Sequence, residues 1–150
     1  MTAPRSSSDR FPPVAELVPH EPPMVLIDEL VAWTPERARV RAQVRAGSPF
    51  VEAGRAPAVV LIEVMAQAIA AASGMAHHLR GGKLGRGVLL GTRELELAVD
   101  ELRVGDELAI DVVKQLDDGK TARYACTVER EGQTIARAEL NVMIVIERQT

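Results

Sequence analysis

A chain of 150 residues, 47% hydrophobic and 26% charged, is sized for one compact domain rather than two. A formal net charge of −3 and an aromatic content of 3% argue against nucleic acid as a partner, and a single cysteine excludes an internal disulfide. No CxxC, no HExxH and no glycine-rich phosphate loop behind a strand occurs, so the residues point away from a metal, a nucleotide or any resident cofactor.

Residues 1–13 (MTAPRSSSDRFPP) hold proline, serine and charge but no apolar run. They read as a mobile tail ahead of a domain over 14–150, not as a signal peptide, which suits a cytoplasmic protein. Residues Met24 to Trp33 are rich in strand formers. From Arg37 to Arg45 polar and apolar residues alternate, so that Ala38, Val40, Ala42 and Val44 share one face and arginines take the other. That charged stripe fits the solvated side of an antiparallel sheet.

Between Ala56 and Ala76 the only charged residue is Glu63. The run predicts a helix from Pro57 to Leu79, with proline in the first turn, where helices tolerate it, and His77, His78 and Arg80 where cations suit the C-terminal end. Roughly 20 apolar residues can cross a bilayer. This run is alanine-rich, however, and holds Glu63 and Gln67 in its interior, so it reads as a helix wrapped by the rest of the protein. A carboxylate in apolar surroundings is suited to proton transfer or to a structural hydrogen bond, and Glu63 alone leaves the two readings level. Gln67 lies one turn later on the same face, within reach of Glu63 as an orienting residue or as a plain helix–sheet contact.

Beyond the helix, strands are expected over Gly87–Val99, Glu107–Leu116, Thr121–Arg130 and Thr134–Ile146, with turn signals at Gly105-Asp106, Asp117-Asp118-Gly119 and Glu131-Gly132. Cys126 falls in the apolar alternation with Ala122, Tyr124 and Val128, the place of a small core residue rather than a nucleophile. Two strands, one long apolar helix and four more strands make an α+β plan, in which an antiparallel sheet curls around the helix and its exposed edge favours a dimer. From Val64 through Arg93 there is no acidic residue, whereas Arg80, Lys83, Arg86 and Arg93 are basic. Such a zone is either a solubilising loop or a landing surface for an acidic partner.

Leu17-Val18-Pro19-His20, followed by Pro23-Met24-Val25-Leu26-Ile27-Asp28, and then Ser48-Pro49-Phe50, Pro57 and Leu61-Ile62-Glu63-Val64-Met65-Ala66-Gln67 stand in this order. Together they resemble the hot-dog-fold 3-hydroxyacyl-[acyl-carrier-protein] dehydratases of fatty acid synthesis. The helix motif is the specific part; Gly91 and Val104-Gly105-Asp106 add weaker matches. The branch found with aryl polyene-type pigment pathways is similar in having the same short loop before Pro57. The resemblance covers most of the chain and implies a single hot-dog fold. It also implies loss of water from a 3-hydroxyacyl thioester on the phosphopantetheine of acyl carrier protein, giving the trans-2-enoyl thioester.

In that chemistry Glu63 matches the helix carboxylate that handles the leaving hydroxyl, and the backbone N–H groups of Ala58 and Val59 would receive the thioester carbonyl. The family's usual histidine lies in a loop that corresponds here to Val51-Glu52-Ala53-Gly54-Arg55-Ala56, which is shorter and holds none. His77 stands fourteen residues after Glu63, about 21 Å along a helix at ~1.5 Å per residue, too far for one reacting centre. His20, set among Pro19, Pro22 and Pro23, is therefore the expected partner of Glu63, within the chain or across a dimer. Arg80, Lys83 and Arg86 would dock the acidic carrier protein. Two other classes stay open: a hot-dog thioesterase, which uses a helix carboxylate to activate water, and a non-catalytic hot-dog subunit. A homodimer or a heterodimer with another hot-dog protein is expected.

Overall fold

The computed structural model describes residues 11–81 and 86–145, without the side chains of 86, 87, 144 and 145. Residues 1–10 of the expected tail lie outside the described residues; Pro13 caps a short 3-10 turn, Val14–Glu16. Strands β1 (Glu29–Thr34) and β2 (Arg37–Gln43) form a first hairpin. A three-residue β3 (Arg55–Pro57) and a 3-10 turn, Ala58–Val60, lead into the helix α1 (Leu61–Leu79). There follow β4 (Arg86–Leu97), β5 (Glu101–Arg103), β6 (Glu107–Asp117), β7 (Thr121–Arg130) and β8 (Gln133–Val145).

Six of these strands form one antiparallel sheet in the order β1-β2-β6-β7-β8-β4, and β3 pairs with β5 in a separate two-stranded sheet. Along β2, β7 and the first half of β6 buried residues alternate with less buried ones, as expected for a sheet with one side on the core. That side receives α1, whose Leu61, Val64, Met65, Ile69 and Met75 are all buried. Each such side chain contributes on the order of 1.5–3 kcal/mol on leaving water. A stretch from Ala58 to Leu79 is apolar and long enough to cross a membrane, but it is the core helix of this sheet, with 61% of its most apolar window buried.

On the other side of the sheet the arginine stripe is neutralised strand by strand. Arg39 reaches Asp111 at 2.8 Å and Glu129 at 3.6 Å, and Arg41 reaches Glu29 at 3.6 Å and Glu107 at 3.5 Å. The periodicity reading of this face holds, and the stripe has partners within its own sheet.

Two departures from the sequence reading follow from long-range contacts. Met24 to Asp28 is not a strand; its Asp28 N–H still donates to the Arg41 carbonyl of β2 at 2.9 Å, but the bonds before it go elsewhere. Gln67 takes the Leu26 N–H and the Met24 carbonyl, and Asp28 Oδ2 accepts the Gln43 N–H at 2.6 Å. The second departure is the small β3–β5 sheet, too short to show a period. The chain enters β3 through a two-residue turn, Ala53 (φ 53°) and Gly54 (φ 79°), flanked by reciprocal backbone bonds between Glu52 and Arg55. Two successive positive φ values are what a type I′ hairpin turn requires.

The segment from Pro13 to Leu26 runs along α1 as a strap. Leu17 and Val18 are 0% and 1% exposed. The Leu17 backbone crosses α1 at Gly74 so closely that a Cβ on residue 74 would overlap its carbonyl.

Candidate active site

Glu63 sits in the first turn of α1, and its side chain is 35% exposed rather than deeply buried, as the surrounding apolar run had suggested. Gln67, one turn on, is 0% exposed. Its Nε2 donates to Glu63 Oε1 at 3.0 Å and to the Met24 carbonyl at 2.7 Å, while its Oε1 accepts the Leu26 N–H at 2.8 Å. A backbone N–H can only donate and a carbonyl can only accept, so these partners fix which way round the amide lies. Gln67 thereby holds the carboxylate of Glu63 and the strap at once.

The strap brings His20 to Glu63 within the same chain, Nε2 standing 3.4 Å from Oε1. Its Nδ1 is buried with no hydrogen-bond partner in the structure. Both known contacts of the Glu63 carboxylate use Oε1, which leaves Oε2 for a substrate. A distance of 3.4 Å is longer than a working hydrogen bond, and such contacts tighten when substrate fills the site.

His20 and Glu63 open onto a cavity of about 130 Å³ that follows α1. Ala66, Ala70 and Ser73 line it from the helix and Leu89 from β4, with His77 at the far end. The sequence reading set His77 aside as a helix-end residue. It does stand fourteen residues from Glu63, yet the spacing 63, 66, 70, 73, 77 puts all five on one helical face, a signal present in the sequence but not used. A larger cavity of about 270 Å³ lies near Phe50, Val60 and Leu108 and shares no lining residue with the first. Its charged residues, Asp28 and Arg45, are tied to each other at 2.9 Å. Asp28 is thus a latch that ties the end of the strap to β2 and to Arg45.

One expected site group must be corrected. The N–H of Ala58 donates to the Asp100 carbonyl at 3.0 Å, which anchors the start of the helix to the chain before β5 and removes that amide from a thioester. The neighbouring Val59, 53% exposed, lies in the 3-10 turn that opens the helix. The loop matching the family's histidine loop is the tight Ala53-Gly54 turn, pinned by a bond from Val104 N–H to the Gly54 carbonyl at 3.0 Å. A two-residue hairpin has no room to carry an additional side chain toward Glu63. Of the basic residues, Arg80 is exposed at the end of α1, Lys83 lies outside the described residues, and Arg86 opens β4 with its side chain outside them. Cys126 is buried and its thiol is pushed up to about 12 by that burial, which leaves it inert. Among the described residues no three His, Cys, Asp or Glu side chains gather as metal ligands.

Known proteins resemble this chain along most of its length. The 3-hydroxyacyl-[acyl-carrier-protein] dehydratase FabZ of Sinorhizobium medicae is 28% identical over 144 residues, covering 88% of this chain and 87% of its own. That of Bartonella bacilliformis is 29% identical over 139 residues, 86% of either chain. Among solved structures, the dehydratase heterocomplex ApeI:P from Xenorhabdus doucetiae has a chain that superposes with a TM-score of 0.86 at 29% identity, covering 90% of this chain and 92% of that one. A hypothetical thioesterase from Streptococcus pneumoniae, at 18% identity and a TM-score of 0.58 over 81% of this chain and 88% of its own, shares the fold. The family profile described as ApeP dehydratase matches residues 12–149, from the start of the strap past the end of β8, and on that match the chain belongs to the ApeP-like dehydratases.

Proposed function

We infer that this dehydratase removes water from a 3-hydroxyacyl thioester carried on acyl carrier protein, in fatty acid or polyene-type biosynthesis, and that Glu63 and His20 perform the proton transfers. The reaction needs a base for the α-proton, an acid for the departing hydroxyl and a donor to polarise the thioester carbonyl. His20 takes the α-proton through Nε2. Glu63 delivers a proton to the 3-hydroxyl, and Gln67 holds its carboxyl by the 3.0 Å bond. The Val59 N–H receives the carbonyl oxygen. The observation that carries this reading is the 3.4 Å approach of His20 to Glu63 at the head of an apolar groove, in a chain whose usual histidine loop has become a turn.

The carrier's phosphopantetheine brings the substrate, so the reaction calls for no cofactor bound to the protein. The acidic carrier docks on the basic end of α1 at Arg80, and Lys83 and Arg86 are the further basic residues assigned to that docking. The protein works in the cytoplasm as a dimer, with itself or with another hot-dog chain. The second option is favoured by the heterocomplex in which its Xenorhabdus relative was solved. The test is to incubate the purified protein with a 3-hydroxyacyl-acyl carrier protein and follow the mass. Loss of about 18 Da, one water, that is slowed at least about 100-fold in Glu63→Gln and in His20→Ala is expected for acid and base acting together. Release of the acyl group by hydrolysis would replace this reading with a thioesterase, and turnover undisturbed in His20→Ala would remove histidine from the mechanism.

A further inference from the structure

We propose that Gly74 is a positioning residue for the dehydration: by letting the Leu17 backbone lie directly on α1, it sets where the strap holds His20 against Glu63. This rests on the reading of His20 as the base.

Three observations converge. Gly74 lies inside a 19-residue helix, where glycine is less favourable than alanine, and its φ is not among the positive values of the described residues. Helical conformation therefore gives no reason for it. The reason is space, since a Cβ there would overlap the Leu17 carbonyl, a backbone atom that can move only if the strap moves. Next, Leu17 is buried and stands three residues before His20, so a displacement at the crossing passes along a short piece of chain stiffened by Pro19. Lastly, histidines that act as bases are usually oriented through their second ring nitrogen, and here Nδ1 has no partner. Apart from the 3.4 Å approach of Nε2 to Glu63, packing and the path of the backbone hold the ring. The strap has a second fastening at Gln67, but that lies on the other side of His20, at Met24 and Leu26. His20 is thus suspended between two attachments, and Gly74 is the seat of one.

The test is a double-mutant cycle with Gly74→Ala and His20→Ala, read as kcat and KM on a 3-hydroxyacyl-acyl carrier protein. A misplacement of about 1 Å can cost on the order of 100-fold in rate, so Gly74→Ala is expected to lower kcat about 10- to 100-fold with KM changed less than about 2-fold. In the His20→Ala background the same substitution should change the residual kcat by less than about 2-fold, because the group it displaces is gone. A loss of equal size in both backgrounds would mean general damage to the fold and would overturn the proposal, as would unchanged kcat in folded Gly74→Ala. If Gly74→Ala does not fold, Pro19→Gly, which loosens the link on the surface and keeps the seat, decides instead: unchanged kcat there overturns the proposal. A His20→Ala protein as active as wild type would instead remove the reading beneath it.

Discussion

Gln67 has every polar atom of its side chain occupied, by a catalytic carboxylate in the proposed chemistry, by a backbone carbonyl and by a backbone N–H. Cys126, equally buried, has only a long contact to the Tyr124 carbonyl at 3.9 Å, and burial lifts its thiol from 9.0 to about 12. The consequence has a definite sign. A group whose pKa is raised on folding stabilises fully below its unfolded value, and that contribution is lost as pH rises through the folded one. Between pH 9.0 and about 12 the wild type should lose stability with a slope of up to about 1.4 kcal/mol per pH unit that Cys126→Ala lacks, measured as denaturation midpoints at each pH. At this scale Glu63 was legible because a lone charge in an apolar run stands out, and His20 because the alternatives could be eliminated. Ala58 misled because its amide is taken by Asp100, a contact across 42 residues that no local pattern records. Gly74 reads in sequence as a weak point of a helix, and only the crossing of Leu17 shows what it admits.

The elements with a period were readable. The strand expected at Thr121–Arg130 is found at those bounds, and the helix expected from Pro57 to Leu79 differs only by its opening 3-10 turn. Elements of three residues have no period to read, so β3 and β5 were missed, although the Ala53-Gly54 turn that leads into β3 takes the place of the family's histidine loop. Within that turn Ala53 holds φ 53°, a conformation costly for any residue with a Cβ but least so for asparagine. Asn-Gly is the favoured pair for such a turn. Ala53→Asn should therefore raise stability by about 0.5–1 kcal/mol, seen as a higher urea midpoint with an unchanged slope, and turnover should be unaffected.

The molecule as a whole is a sheet with two unlike edges. The β1 edge is six residues long with one irregularity, between Leu30 and Ala32, whereas β4 runs for twelve, with irregularities at Leu89/Gly91 and Arg93/Glu96, and exposes Leu89, Leu90 and Leu95. Long apolar edges invite another strand, and a partner on β4 would also lie over the groove that Leu89 lines. Lysine on an edge opposes such pairing, so Leu90→Lys should convert a dimer to a monomer by light scattering and lower turnover with it. The exposed edge could be expected from the order of strands, but which strand supplies it depends on β4 crossing to β8, a pairing fixed only in three dimensions.

The closed amide of Gln67 makes the strap's opening visible without substrate. Lifting residues 24–26 would strand a buried amide, so the segment should leave α1 as a unit rather than fray residue by residue. The Leu26 N–H is released only in that event. Its hydrogen-exchange rate, set beside those of the central β7 amides that need global unfolding, gives the free energy of opening at this fastening, on the far side of His20 from the Leu17 crossing.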